Sequence, residues 1–329
     1  MMLRIGIVGL GGIGNLHARC YTENKHTQIV AVCDLIKEKA DAAAEKYKAH
    51  AFYSVREMLK SGIKLDACSV TSAGVENGGD HYKPTMELLG AGIPVLGEKP
   101  ISNEIAKARR MVALAKQKKV PYGINLNHRF TPSAVRAKEW LDKGRLGELN
   151  IINMTMWINN PNESSPHFHM RALHPHSLDV MRYFAGDVAK VQAFFKKGPG
   201  RKIWSNVQVN LLFANGTIGH LTGSYDAGGS YGLETCELVG SQARVIINEA
   251  CEKLSFHPRF SNQVESYEHL GGMKSFPDTF PSRIGAWIED LRKKTLPEKI
   301  DGKAEDALKV QLVIEAAIKS WDTGKIITL

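Results

Sequence analysis

The 329-residue sequence contains little cysteine and no long hydrophobic run. Its five cysteines are odd in number and form no Cys-x-x-Cys pair, which argues against a disulfide framework and favours buried free thiols in a reducing compartment. No apolar run approaches the roughly 18–20 residues of a membrane span, and the N-terminus enters a strand directly, without the pattern of a signal peptide. We also find no internal repeat and no low-complexity tract. We therefore expect a cytoplasmic protein without a membrane partner. The cysteines are Cys20, Cys33, Cys68, Cys236 and Cys251.

The charge composition does not indicate a nucleic-acid partner. The formal net charge is +9, with 43% hydrophobic and 23% charged residues, which is ordinary for a globular protein. The lysines are scattered through helical segments such as Lys37–Lys48 and Lys107–Lys119, so they indicate a solvated surface. A general preference for anionic ligands stays open. The length suits two domains.

The N-terminal segment Leu3–Gly14, LRIGIVGLGGIG, carries the most information. A short strand pattern leads into Gly9, Gly11 and Gly14, which have the G-x-G-x-x-G spacing of a dinucleotide-binding turn. The helix that begins here would direct free N–H groups at a pyrophosphate. Asp34, about twenty residues after the last glycine, ends the next strand pattern and can accept hydrogen bonds from a ribose diol. Its charge would repel a 2′-phosphate, so we expect NAD, with NADP as the alternative.

Strand and helix patterns divide the chain into two predicted domains. Residues 1–124 alternate strand and helix signals, which predicts a doubly wound parallel sheet. Residues 125–329 contain longer β-branched and aromatic runs and an Asn-Gly turn, which predict a mostly antiparallel sheet with a few helices. The C-terminal helix, about residues 304–322, could pack back on the first domain. The predicted fold class is α/β.

Two short segments carry residues suited to acid–base chemistry. Glu98-Lys99-Pro100 ends a predicted parallel strand, and such strand ends face the ligand crevice of a doubly wound sheet. A lysine there can stabilise negative charge on a substrate oxygen. In the second segment, His176 and Asp179 are three residues apart at a helix start and share a face, so the carboxylate could hold the imidazole as a general base.

A metal site is the alternative for the second segment. It contains His167, His169 and His174 besides His176, but the H-x-H pattern is loose. We therefore expect no bound metal.

Taken together, the motifs resemble the glucose–fructose oxidoreductase / inositol dehydrogenase (Gfo/Idh/MocA) family. The fingerprint, Glu98-Lys99-Pro100, Asn127–Phe130 and His176–Asp179 have that family's order and spacing over essentially the whole chain. The resemblance implies an N-terminal Rossmann domain and a C-terminal α/β domain with a large open, mostly antiparallel sheet. It also implies a homodimer or homotetramer built through that sheet, a nicotinamide cofactor, and sugars or cyclitols as substrates.

The sequence departs from the family pattern in three places. Ala172 occupies the position of the usual aspartate four residues before His176, and His174 stands where the family usually has glycine. His174 is therefore a candidate to take over part of the polar role. The segment 72–80 is longer than the usual turn and rich in glycine, which suggests a mobile loop.

The predicted function is NAD(P)-dependent hydride transfer between nicotinamide and a secondary alcohol or ketone of a sugar, sugar derivative or cyclitol. Lys99 would polarise the oxygen, His176 would take the hydroxyl proton and Asp179 would orient His176 or support its helix. Two alternatives stay open: an NAD-retaining glycosidase or lyase acting through transient oxidation, and a non-catalytic sugar or NAD sensor. The predicted cofactor residues are Gly9, Gly11, Gly12, Ile13, Gly14, Asp34, Thr71, Ser72, His81, Glu98 and Lys99. The predicted substrate contacts are Asn127, Arg129, Trp157, Asn159, Asn160, Arg171 and His174.

Overall fold

The computed structural model describes residues 2–77, 79–227, 234–249 and 252–329. The chain divides into two compact units. The first comprises Met1–Leu126 with Phe280–Leu308, and the second comprises Asn127–Thr279 with Lys309–Leu329.

The first unit is a Rossmann-type α/β sandwich. Within its described residues, six parallel strands lie in the order β3-β2-β1-β4-β5-β6. Their central positions are buried on both faces, as in strands that carry helices on either side. The strands are β1 (Leu3–Val8), β2 (Thr27–Cys33), β3 (His50–Phe52), β4 (Ala67–Val70), β5 (Val95–Gly97) and β6 (Tyr122–Ile124). The helices between them are α1 (Gly12–Glu23), α2 (Lys37–Tyr47), α3 (Val55–Lys60), α4 (Tyr82–Gly90) and α5 (Ile105–Lys118).

The second unit is built on one large mixed sheet. Its nine described strands lie in the order β14-β13-β12-β11-β7-β10-β9-β8-β15, and β7 and β10 form a parallel pair among antiparallel neighbours. The helices from residue 127 onward are α6 (Pro132–Asp142), α7 (Phe168–Ala172), α8 (His174–Ala185), α9 (Thr279–Lys293) and α10 (Ala304–Thr323). The strands are β7 (Leu149–Trp157), β8 (Val188–Lys196), β9 (Asn206–Phe213), β10 (Ile218–Ser224), β11 (Glu234–Gly240), β12 (Ala243–Asn248), β13 (Lys253–Pro258), β14 (Glu265–Glu268) and β15 (Ile327–Thr328).

Side chains alternate between the two faces of this sheet because successive residues of a strand point to opposite sides. One face forms the core of the unit with α6, α8 and α10. The α10 side chains Val313, Ile314 and Ala317 are buried in this core. On the other face, residues such as Phe194 and Ile218 are more than half exposed. The helices therefore cover one face and leave the other open.

The observed fold confirms the predicted class and its division into parallel and mostly antiparallel sheets. Cys20, Cys33, Cys68 and Cys236 are buried and free, and Cys251 lies outside the described residues. No helix in the part of the chain that the structure describes is both long and apolar enough to cross a membrane.

Candidate active site

The turn between β1 and α1 has the geometry that phosphate binding requires. Gly9 has a φ of +92°, and a Cβ there would lie 2.4 Å from the Ser72 amide nitrogen, so only glycine fits. A Cβ on Gly14 would lie 1.9 Å from the Gly9 carbonyl oxygen, so glycine lets α1 pack closely on β1. In contrast, ideal Cβ atoms on Gly11 and Gly12 would meet no described atom within 4 Å. The turn is therefore tight on its inner side and open on its outer side.

This open side fits the pyrophosphate of a dinucleotide. Gly11 is the N-cap of α1 and provides no side chain to accept the free N–H groups of the first turn. Those N–H groups and the positive end of the helix dipole can bind an anion. The residues present thus fit an NAD pyrophosphate at the start of α1.

Asp34 follows β2 and is fixed by two backbone donors. Its Oδ2 accepts a hydrogen bond from the Leu10 amide at 2.7 Å, and its Oδ1 accepts one from the Ile36 amide at 2.9 Å. A carboxylate can accept about four hydrogen bonds, so both oxygens retain capacity for a ribose diol. The side chain is only half-buried. Asp34 thus holds the glycine turn in place besides being available to a cofactor.

The predicted nicotinamide-side residues lie from the end of β4 to the start of α4. The Thr71 hydroxyl donates to the Gly9 carbonyl at 2.7 Å, which ties this strand end to the glycine turn. The Ser72 hydroxyl donates to the Asp80 carbonyl at 3.2 Å and lies 3.5 Å from His81 Nδ1. Burial lowers the pKa of His81, which favours its neutral form.

Lys99 follows β5. It therefore lies at the edge of the sheet where the carboxyl ends of the parallel strands are found. Burial lowers the pKa of its ammonium group, and the neighbouring Glu98 carboxylate only partly opposes this shift. A lysine whose pKa is brought down by desolvation is better matched to proton transfer near neutral pH.

Glu98 itself belongs to a buried polar network. His17 Nε2 lies 3.0 Å from Glu98 Oε1, and Asn125 Nδ2 donates to the same oxygen at 2.6 Å. His17 Nδ1 lies 3.2 Å from the Ser69 hydroxyl, which also contacts the Tyr21 hydroxyl at 3.0 Å. Burial raises the pKa of Glu98, but the hydrogen bonds from His17 and Asn125 and the charge of Lys99 outweigh it and lower the pKa overall. The network therefore keeps a negative charge next to Lys99.

In the second unit, His176 lies in the first turn of α8 against another histidine. The ring of His128 stacks on it with centroids 4.2 Å apart and planes 13° from parallel. His128 Nδ1 is hydrogen-bonded to Glu234 Oε2 at the start of β11. Phe276 contacts both imidazoles edge-on, with its ring centroid 5.9 Å from that of His128 and 6.4 Å from that of His176. The side chains of His128, His176 and Glu234 are all buried.

Asp179 pairs with Arg129. Its Oδ2 accepts a hydrogen bond from Arg129 Nε at 2.7 Å, and its Oδ1 accepts a second bond from Nη2. The guanidinium also lies over the Tyr183 ring, 5.2 Å from its centroid. This pair joins α8 to the 3-10 turn Asn127–Phe130. Orientation of His176 by Asp179 stays a prediction.

His174 is wholly buried in a polar pocket of its own. Its Nδ1 lies 3.2 Å from the Ser177 hydroxyl, and its Nε2 lies 3.1 Å from His169 Nε2. Burial lowers the pKa of His174 to about 3, so the ring is neutral. A Cβ on Gly223 would lie 2.2 Å from His174 Nε2, so glycine at 223 makes room for this ring. A substrate contact by His174 would require this packing to open.

The other predicted substrate residues are distributed over several elements. Arg171 makes two hydrogen bonds of 2.9 Å to Glu315 on α10. Asn127 is buried and donates to the Thr279 hydroxyl. Trp157 ends β7 and is half-buried, and Asn159 is exposed. The backbone N–H of Asn160 donates to the Tyr225 carbonyl at 3.0 Å.

Two family models match the chain. The model of the Gfo/Idh/MocA oxidoreductase family, NAD-binding Rossmann fold, matches residues 3–126, and the model of the Gfo/Idh/MocA C-terminal domain matches residues 134–246. Together they cover more than half of the chain. The chain belongs to the Gfo/Idh/MocA oxidoreductase family. Its first unit is accordingly the NAD-binding part, as the fingerprint predicted.

Individual relatives are dehydrogenases of sugars and cyclitols. The chain is 31% identical over 150 residues to D-glucoside 3-dehydrogenase of Escherichia coli K12, which covers 45% of the chain and only 42% of that relative. It is 25% identical to inositol 2-dehydrogenase of Rubrobacter xylanophilus over 98% of the chain and 92% of the relative. A levoglucosan dehydrogenase structure in complex with NADH and levoglucosan superposes with a TM-score of 0.88, covering 100% and 99% of the two chains at 17% identity. At that identity the likeness shows the fold alone.

The sequence analysis did not identify four polar residues of the buried networks described above. They are His17, Asn125, His128 and Glu234. His128 lay inside a quoted motif without a role, and His17 lay three residues after the last fingerprint glycine. Asn125 and Glu234 carried no signal, because their partners are 27 and 106 residues away in sequence. Among the described residues, no group of three or more His, Cys, Asp or Glu side chains is placed to hold a metal ion.

Proposed function

We propose that this chain is an NAD-dependent dehydrogenase that oxidises a secondary alcohol of a sugar, sugar derivative or cyclitol, with NADP as the alternative cofactor. The observation that carries the proposal is the glycine turn of the NAD-binding fold, with Lys99 at a strand end of the same sheet edge. Membership of a family whose relatives act on such alcohols supports the substrate class.

The cofactor residues would hold NAD at the edge of the sheet where the carboxyl ends of the strands lie. The N–H groups at the start of α1 would bind its pyrophosphate, and Asp34 would accept hydrogen bonds from the hydroxyls of the adenosine ribose. Thr71, Ser72 and His81 line the position proposed for the nicotinamide end. Bound NAD would supply the electrophilic ring that accepts the hydride.

Lys99 and His176 share the acid–base work on the substrate. Lys99 donates a hydrogen bond to the reacting oxygen and stabilises the charge that develops there. His176 accepts the hydroxyl proton as the carbon loses its hydride. Asp179 supports this helix turn through Arg129, and Trp157, Asn159 and Asn160 are proposed to contact the sugar.

Replacement of Lys99 tests the proposal. The purified chain is assayed with NAD and a panel of polyols and sugars, and NADH is followed by absorbance. Lys99→Ala should leave the Kd for NAD nearly unchanged and lower kcat about 10²- to 10³-fold, which is typical of a positioned acid–base group. Lys118→Ala, an exposed lysine on α5 of the same unit, is the matched control and should keep full turnover.

Two results would overturn the proposal. Normal turnover in Lys99→Ala would remove this lysine from the mechanism. Tight NAD binding by the wild type without NADH formation from any polyol would reject the dehydrogenase, and product formation without net NADH would instead indicate NAD-retaining chemistry.

We further propose that the chain assembles through the open face of its large sheet, as a homodimer or homotetramer in a reducing compartment, the cytoplasm. Phe194 and Ile218 are 55% and 53% exposed on this face, and a second copy would bury both. The unpaired thiols of four buried cysteines are consistent with the compartment. Light scattering after size exclusion should show an oligomer for the wild type and a smaller species for Phe194→Glu.

A further inference from the structure

A protonated His176 would need a compensating negative charge nearby. If His176 takes a proton from substrate, a buried imidazolium forms, and burial of a charge is unfavourable unless an opposite charge is near. The carboxylates that this unit places near the His176 turn are therefore the relevant groups.

Asp179 is a poor source of that negative charge. Its two oxygens accept hydrogen bonds from the Arg129 guanidinium, so the pair is close to neutral as seen from its surroundings. His174, on the same helix turn, is neutral and turned toward His169 and Ser177. Ala172, at the end of α7, has an uncharged side chain.

Glu234 is placed differently. It carries a carboxylate that the described contacts connect to the His176 ring through His128. Because an ionised carboxylate only accepts, the Nδ1–H of His128 is the donor in this hydrogen bond. Its Nε2 is buried and has no hydrogen-bond partner among the described residues. The carboxylate therefore fixes both the orientation and the tautomer of the ring that stacks on His176.

We propose that Glu234, acting through His128, is a positioning residue that sets the ring plane of His176 and compensates the positive charge His176 acquires. The inference rests on the proposed function for the identity of His176 as the proton acceptor. When His176 gains its proton, the O–H bond of the substrate breaks and an N–H bond forms on the imidazole. The net charge of the Glu234–His128–His176 group then rises by one, and the Glu234 carboxylate opposes that positive charge.

The charge change has a measurable sign. A carboxylate close to an imidazole favours its protonated form and raises its pKa. Glu234→Gln keeps the shape and an acceptor for the His128 N–H but removes the charge, so the pKa of His176 should fall. Among the described residues, the titratable and charged groups on the elements around His176 include His128 and Arg129 on the 3-10 turn, Glu234 on β11, and His174 and Asp179 on its own helix.

The experiment is an NMR titration of ¹³C-histidine-labelled full-length protein, with the His176 signal identified by its loss in His176→Gln. The His176 midpoint should fall by about one pH unit in Glu234→Gln. His128→Phe keeps an aromatic ring on His176 but cuts the link to Glu234, so it should produce a similar fall. The matched control is Glu237→Gln on the same strand, which pairs with Arg244 on β12 and should leave the midpoint unchanged.

This measurement separates the inference from the proposed function. An unchanged His176 midpoint in both Glu234→Gln and His128→Phe would overturn the inference, whatever the turnover. A shifted midpoint in a protein that oxidises no polyol would support the inference and reject the dehydrogenase. Where turnover is found, the acid limb of kcat/KM should move to lower pH in Glu234→Gln by the same amount as the NMR midpoint.

Discussion

Loss of the Arg129–Asp179 pair should destabilise this protein far more than loss of a surface ion pair. The Arg129 side chain is 5% exposed and that of Asp179 is 1% exposed. Removal of one partner takes an opposite charge away from the other buried group, which costs about 3–5 kcal/mol. Asp179→Leu should therefore lower the free energy of unfolding by about that amount, measured by urea denaturation with tryptophan fluorescence.

Two further variants give this prediction its controls. In Arg129→Met/Asp179→Leu both charges are replaced by apolar groups, so at least half of the lost stability should return. Glu139→Ala breaks an exposed pair with Arg136, at 3.5 Å on α6, and should cost less than about 1 kcal/mol.

The reasoning fails if Asp179→Leu costs no more than Glu139→Ala, or if the double variant is as unstable as the single one. The double variant also separates stability from catalysis. A folded double variant that has lost turnover would show that the Arg129–Asp179 pair is needed for catalysis.

Three other outcomes follow from the structure. Titration should show tighter binding of NAD than NADP by the wild type, and Asp34→Ser should narrow the difference because it removes the repulsion of a 2′-phosphate; tighter NADP binding by the wild type would contradict this. His174→Ala should lower the free energy of unfolding by about 2–4 kcal/mol with little change in KM, since it empties a buried polar pocket; a raised KM without loss of stability would instead make His174 a substrate contact. Activity should survive exhaustive chelation, and the expectation fails if stoichiometric zinc is found whose removal abolishes turnover.

The sequence alone determined the cofactor fold. Gly9, Gly11, Gly14 and Asp34 act over short stretches of chain, where the tight turn and the start of α1 follow from local backbone sterics. The alternation of strands and helices likewise predicted the parallel sheet, because parallel neighbouring strands need a crossover connection, usually a helix, between them.

Only the tertiary structure decided which polar groups meet. His176 and Asp179 are three residues apart on one helix face, so a direct partnership was the natural prediction. The fold pairs Asp179 with Arg129, 50 residues away, and stacks His176 on His128, whose carboxylate partner Glu234 is 106 residues further along the chain. Such partnerships depend on how turns, helices and strands pack, and no local period or spacing encodes them. The burial of His174 beside Gly223 has the same origin, since the space for a ring on α8 is set by a missing side chain on β10.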